Sequence, residues 1–408
     1  MKKIITTFVI VVILQLFPTS GDLTFNIKNC EAQWVWMSYG MGYKAVYSFT
    51  TSGDNIFAGT LYGGVWLSTN NGINWTQTGF NNWTIWSLTI TGNYIFAGTN
   101  TDVYRSTNNG QSWTQTALNK LAYCIAASGN NIFAGTTDSG VYRSINYGSS
   151  WTKTALNNDA IESLAISGNF VFAATHDSGV YLSTNNGTSW MQTTLNDKRV
   201  HSIAISGDNI FAGTYFNRIY LSTNNGTSWT QIGIGLNNRL VYALAISGSN
   251  IFAGTDDSGV YLSTNNGQSF TQWNQGFTSS IPSVYSLLIM GNYIFAGTSS
   301  SVWRRPLSDI IGIKNFSTEI PERCELQQNY PNPFNSTTII RFRIRDSRLV
   351  CIKVYNILGM EVASLINEKL NAGKYELNFD GNELTSGIYF YKMEAEDFNK
   401  IKKMVLIK

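Results

Sequence analysis

The sequence predicts an all-β chain in two parts: a closed ring of repeated four-stranded sheets, then a small sheet domain. Three observations carry this. A string of the type NIFAGT recurs seven times, an octapeptide of the type STNNGTSW recurs six times in step with it, and charge and tryptophan divide near residue 308. Residues 308–408 hold 14 Lys/Arg and 13 Asp/Glu, 27 of the 53 charged side chains, whereas all 12 tryptophans precede them. Two segments with different packing demands are joined there.

The chain opens with Met1, Lys2 and Lys3, an apolar run from Ile4 to Phe17, then Pro18, Thr19, Ser20 and Gly21. A basic head, an apolar stretch short for a bilayer span and small residues at its end describe a secretory signal peptide over residues 1–21. An uncleaved anchor is the alternative; with the signal removed, no stable membrane span is expected. The net charge of +3 and the lack of a dense basic run exclude nucleic acid as a partner class, because phosphate binding needs clustered Lys/Arg. Four cysteines, Cys30, Cys124, Cys324 and Cys351, are too scattered for a disulfide framework, and only Cys324 and Cys351 share a segment in which a bridge is open to them.

The phenylalanines of the first string, Phe57, Phe96, Phe133, Phe172, Phe211, Phe252 and Phe295, are spaced by 39, 37, 39, 39, 41 and 43 residues. A period near 40 built of short strand-like runs is the signature of β-propeller blades, none of which can bury its faces alone. The fourth period resolves into four strands, at 162–167, 169–175, 179–183 and 190–194, with Gly-Asn, Asp-Ser-Gly and Asn-Asn-Gly turns between them. Helical periodicity is missing, and Gly and Asn recur too often for a helix. Seven periods predict seven blades over residues 30–307.

In Ser-Thr-Asn-Asn-Gly-x-Ser-Trp the asparagine offers an oxygen to the backbone of its own turn, and the glycine accepts positive φ without steric cost. The copies begin at Ser68, Ser106, Ser144, Ser183, Ser222 and Ser263 and end on Trp75, Trp113, Trp151, Trp190, Trp229 and Phe270. This octapeptide resembles the Asp-box (BNR repeat) of sialidase-type propellers, a hairpin also found in sortilin, xyloglucanases and a photosystem II assembly factor. It departs from that pattern by carrying Asn70, Asn108, Asn146, Asn185, Asn224 and Asn265 where aspartate is usual. The resemblance implies a scaffold role away from the ligand face, and an amide oxygen still serves as acceptor.

The seventh period lacks a fourth strand. The run from Trp36 to Gly42, WMSYGMG, reads like WTQIGIG from Trp229 to Gly235, so residues 34–40 are expected to complete the last blade and leave no open sheet edge. Residues 308–321 then read as a linker. Over residues 322–408 the chain gives NYPNPFNSTTIIRF from Asn329, then VYNILGMEVASL, LNAGKYELNFDGNELTSGIYFYKMEA and KKMVLIK. Alternating runs between Gly-Met, Ala-Gly and Thr-Ser-Gly turns predict a small immunoglobulin-like sandwich. In this order the four motifs resemble the type A C-terminal sorting domain of the type IX secretion system, departing only where Ser336 follows Asn335 in place of a proline. The resemblance implies that residues 322–408 are recognised by the outer-membrane translocon of a Bacteroidetes-like bacterium. It implies too that the tail is then removed and the cargo secreted or kept at the cell surface.

One position per blade varies where its neighbours are interchangeable: Tyr47, Trp86, Tyr123, Glu162, His201, Tyr242 and Tyr285, near the start of each first strand. Three residues earlier stand Lys44, Trp83, Lys120, Asp159, Lys198, Arg239 and Pro282. An aromatic ring at a funnel mouth suits stacking on sugars or gripping a peptide, and plain packing between blades is the other reading. Catalysis of the sialidase or xyloglucanase type would centre on Glu162, the only glutamate between Ala32 and Asp309, with Asp159 or Asp197 as partner. Two histidines, no Cys/His cluster and no phosphate cradle predict neither a metal nor another cofactor. The functional expectation is a non-enzymatic binding propeller for a glycan or a protein; a glycoside hydrolase or a spacer propeller are the alternatives.

Overall fold

The computed structural model describes residues 33–157, 159–215, 219–236, 239–277, 280–307, 310, 313–317, 320–381 and 384–408. The expected signal peptide and Cys30 lie outside them. The described residues form nine four-stranded sheets and no helix. Seven of the sheets are the predicted blades. Blade 4 is typical, running Ile161–Ser167, Phe170–Thr175, Val180–Ser183 and Met191–Gln192 in antiparallel order.

The first strands of successive blades lie side by side round the ring, and Val46–Ser52 of blade 1 lies against Val284–Met290 of blade 7. Small polar residues pin them together. Ser48 Oγ accepts the Leu88 amide at 2.8 Å, Ser87 Oγ that of Ile125 at 2.9 Å, and Ser286 Oγ donates to the Val46 carbonyl at 3.2 Å. The second strands are buried almost throughout, which is why NIFAGT tolerates so little variation: Phe57, Phe96, Phe133, Phe172, Phe252 and Phe295 are all within 1% of complete burial.

The six octapeptides share one hydrogen-bond pattern. In blade 4, Ser183 Oγ donates to Asn185 Oδ1 at 3.0 Å and accepts the Gly187 amide at 2.8 Å, while Asn185 Oδ1 also accepts the Ser189 amide at 2.9 Å. Asn186 and Gly187 both take positive φ, 53° and 76°. The glycine has a second reason to be there. A Cβ on Gly187 would stand 2.5 Å from the ring of Phe133; one on Gly72 or Gly226 would stand 2.7 or 3.1 Å from Phe295 or Phe172, and Gly110 and Gly148 face Phe57 and Phe96 at 3.4 Å with Thr78 and Thr116 closer. Each of these phenylalanines belongs to the preceding blade, so the two repeated strings touch one another across the blade interface.

At the seam, Val35–Trp36 pairs with Val302–Pro306 as the fourth strand of blade 7. Trp34 is 1% exposed and donates its indole N–H to the Trp273 carbonyl at 2.7 Å; Trp75 of blade 1 donates to Met37 at 2.7 Å. Gly40 meets the Trp75 carbonyl as Gly235 meets that of Phe270, each at 2.2 Å from an added Cβ, so the two similar heptapeptides occupy equivalent environments.

The tail is a small sandwich. One sheet runs Ile313–Ser317, Gly373–Asp380, Thr337–Ile344, Glu325–Leu326; the other runs Glu361–Leu370, Arg348–Tyr355, Gly387–Ala395, Phe398–Leu406. A single apolar cluster including Phe342, Ile352, Leu377, Tyr391 and Met404 fills it. Residues 308–321 are therefore not a plain linker: Ile313–Ser317 pairs along Gly373–Asp380 and occupies what would otherwise be an open edge of that sheet. The NYPNPF run is tied to the chain's end. Asn332 Oδ1 accepts the Val405 amide at 2.9 Å, and buried Phe334 exchanges backbone bonds with Val405 and Ile407. Cys324 and Cys351 are free thiols, as is buried Cys124.

Candidate functional site

In all seven first strands the ladder with the second strand skips one residue, and the skipped residue is Tyr47, Trp86, Tyr123, Glu162, His201, Tyr242 or Tyr285. A bulge leaves its extra residue unpaired and turns the side chain away from the sheet's alternation. All seven side chains consequently converge on the axis, where they line one cavity of about 380 Å³ together with Ser48, Ser87, Cys124, Ser163 and Ser202.

The aromatic members lean on one another. Ring centroids are 4.9 Å apart for Tyr47 and Trp86, 5.3 Å for Trp86 and Tyr123, 4.9 Å for Tyr47 and Tyr285, and 5.2 Å for Tyr242 and Tyr285. His201 meets Tyr242 edge-on at 5.6 Å. All seven ring residues are half-buried, so each supports its neighbour and still faces the cavity. Burial, reinforced by nearby phenols and carboxylates, raises the phenol of Tyr242 to about 12 and lifts those of Tyr123 and Tyr47, so the ring presents neutral hydroxyls at neutral pH. The indole N–H of Trp86 is buried with no partner among the described residues.

Glu162 interrupts the aromatic wall between Tyr123 and His201, and it is clasped from three sides. His176 Nδ1 lies 2.6 Å from Oε1, Arg199 3.6 Å from Oε1, and His201 Nδ1 3.4 Å from Oε2. Burial is the main reason the His201 pKa lies below its ordinary value; Arg199 and His176 push the same way, and Glu162 opposes them. The Arg199 guanidinium stacks over Tyr215 at 4.3 Å, which fixes its plane beside the carboxylate. A further hollow of about 480 Å³ adjoins the cavity and shares Tyr123, Glu162 and His201 with it. Neither His176 nor Arg199 stood out in the sequence. His176 follows the second strand of blade 4 and reaches Glu162 across that blade's own ladder, in which Ile161 pairs with Thr175. Arg199 precedes blade 5, and only the lateral approach of the two blades brings it to Glu162.

The expected carboxylate partners lie elsewhere. Asp159 accepts a hydrogen bond from Ser178 at 3.1 Å, and Asp197 faces Lys198 at 3.0 Å on the surface; neither lines either hollow that Glu162 lines. Of the residues three before the ring, Trp83 packs on Phe80 at 6.1 Å. Arg105 and Arg143, on the third strands of blades 2 and 3, bond to the Tyr147 carbonyl and to Asn131 and line neither hollow. No helix of the described residues is long and apolar enough to cross a membrane.

Comparison with known proteins bears on both parts. Residues 92–202 match the DUF6242 beta propeller domain family, and residues 328–408 match the secretion system C-terminal sorting domain family. No curated protein is significantly similar to the chain. Among solved structures, YCF48 from Cyanidioschyzon merolae is 14% identical with a TM-score of 0.57, over 67% of this chain and 98% of that one. YCF48 bound to D1 peptide is 14% identical with a TM-score of 0.56, over 67% and 96%. An extracellular domain described as part of a hybrid two component system of B. thetaiotaomicron is 16% identical with a TM-score of 0.58, over 77% of this chain and 45% of that one. At these identities the likeness concerns the fold, a β-propeller. The tail's match adds an address: this propeller carries a type IX sorting domain that engages the secretion system and sends it across the outer membrane, in Bacteroidetes, to the cell surface or beyond.

Proposed function

We propose that the chain is an exported, non-enzymatic binding propeller whose ligand, a peptide or a glycan, is held at the bulged ring. One observation carries this reading: seven bulges aim seven otherwise unrelated side chains into one cavity. Aromatic faces with neutral hydroxyls give contact area and hydrogen bonds at little entropic cost, and Glu162 with its basic neighbours gives orientation. The propeller of YCF48 has been solved with a bound D1 peptide, which supports a peptide ligand for this fold. The non-enzymatic reading draws support from Asp159 and Asp197, since most glycosidases use two carboxyl groups facing one bond and neither of these shares a hollow with Glu162. We read the six hairpins as Asp-box scaffold in which asparagine replaces aspartate, and residues 1–21 as the export signal that precedes type IX sorting.

Binding to glycan and peptide arrays, with Tyr47→Ala, Trp86→Ala and Glu162→Gln, tests the reading. Loss of about tenfold or more in affinity with Trp86→Ala, and no reducing sugar released by the unmutated protein, is the expected result. Sugar release that disappears with Glu162→Gln would make it a hydrolase; silence on every array would leave a spacer.

A further inference from the structure

We propose that the cleft at the ring's seam is a second ligand site, built for a neutral saccharide. It measures about 310 Å³ and shares no lining residue with the central cavity. Its walls come from the loop before blade 7, the hairpin loops of blades 6 and 7, and the segment that leads from the closing strand into blade 1. All of these lie at the end of the ring where first strands begin. The proposal therefore stands whether or not the central ring binds anything.

Two aromatics form one corner. Tyr43 is 84% exposed and Trp36 37% exposed, with ring centroids 6.2 Å apart and planes tilted by 43°. Such faces stack on the C–H surface of a pyranose. Trp303, 7% exposed, forms part of the wall, and its indole N–H has no partner among the described residues, whereas those of Trp34, Trp66 and Trp75 each donate to a carbonyl. The Trp303 N–H has no exposed surface, so what this side chain presents to the cleft is the apolar part of its ring.

Opposite these rings Asp257 is held in a left-handed conformation, φ 42°, by two bonds to one side chain: its amide donates to Ser283 Oγ at 3.0 Å and its Oδ1 accepts from that hydroxyl at 2.6 Å. No hydrogen bond reaches Oδ2 among the described residues, so the fixed carboxylate keeps an oxygen for ligand hydroxyls. Exposed Ser299 and Ser300 add further hydroxyls. Among the described residues no lysine or arginine lines the cleft. A single carboxylate without a cation repels acidic sugars, which is why the occupant is neutral.

The test uses the full chain and an array of neutral oligosaccharides (glucans, mannans, galactans, xyloglucan fragments) beside sialylated and sulfated ones. We expect binding to neutral members. Tyr43→Ala and Asp257→Asn should each weaken it about tenfold, with unchanged melting temperature because both side chains are exposed. The indole N–H resonance of Trp303 should shift on titration. In the Trp86→Ala background, which disables the central ring, the neutral binding and its dependence on Tyr43 and Asp257 should persist. In that background, no neutral binding at millimolar sugar, indifference to both seam substitutions, or preference for acidic glycans would each overturn the proposal.

Discussion

At the scale of single residues, the hairpin asparagine and glycine do separate jobs, and substitution separates them. Asn185→Ala removes the acceptor for the Ser189 amide and the Ser183 hydroxyl, so we expect a loss of about 1–2 kcal/mol in denaturant unfolding, whereas Asn185→Asp keeps the oxygen and should stay within about 0.5 kcal/mol. Gly187→Ala should cost more, about 2–3 kcal/mol, because a Cβ would both strain a φ of 76° and enter the Phe133 ring. Equal costs for the two alanine variants would show that the interface contact is slack. His201 sets a pH dependence. Its folded pKa lies below the ordinary 6.5, so below that pH the unfolded chain binds the proton more readily. Its contribution is complete above about 6.5 and is lost as pH falls toward the depressed value, with Glu162, Arg199 and His176 as the charges around it. Melting temperature measured from pH 7.5 to 5 should fall, and His201→Gln should flatten that fall; parallel curves would refute it.

At the scale of elements, the closing strand is short and its anchoring is not. The strand itself is Val35 and Trp36, yet the Met37 amide donates to the Val302 carbonyl at 2.8 Å, Ser38 Oγ accepts the Val302 amide at 2.7 Å, the Trp75 amide donates to Tyr39 at 2.8 Å, and Trp34 is sealed against blade 6. A chain starting at Lys44 opens blade 7 and empties the Trp34 site, a loss of about 3–5 kcal/mol from that side chain alone. Its melting temperature should drop by about 10 °C or more, and an unchanged value would show that the ring does not depend on closure. The repeats made the blades and this seam legible, because near-identical strings force equivalent environments, as Gly40 and Gly235 show. The ring positions were legible too, as variation inside an invariant frame. The bulges that aim them were not, since a bulge leaves no mark in a period-2 pattern one residue long. Nor were the Arg199 and His201 side of the clasp on Glu162 and the seam cleft, which depend on how far neighbouring blades approach, and no single repeat encodes that distance.

At the scale of the whole molecule, the boundary between cargo and address can be located by which strands each part needs. Among the described residues no blade takes a strand from the tail, and every tail strand finds its partner beyond residue 312. The propeller ending at Leu307 should therefore melt as it does in the full chain, while losing its passage across the outer membrane in a host with type IX secretion. The converse piece is more telling. The family match begins at residue 328, yet Ile313–Ser317 and Glu325–Leu326 form both outer strands of one tail sheet. A fragment of residues 328–408 keeps only Gly373–Asp380 and Thr337–Ile344 in that sheet, and a two-stranded ribbon covers the opposite sheet poorly. Buried Leu326 also leaves the shared core. Fused to a reporter, residues 310–408 should thus give a cooperative melt and efficient export, and residues 328–408 a lower, broader melt with reporter held in the periplasm. If the two fragments melt and export alike, the edge strands are dispensable, and the address ends where the family match ends.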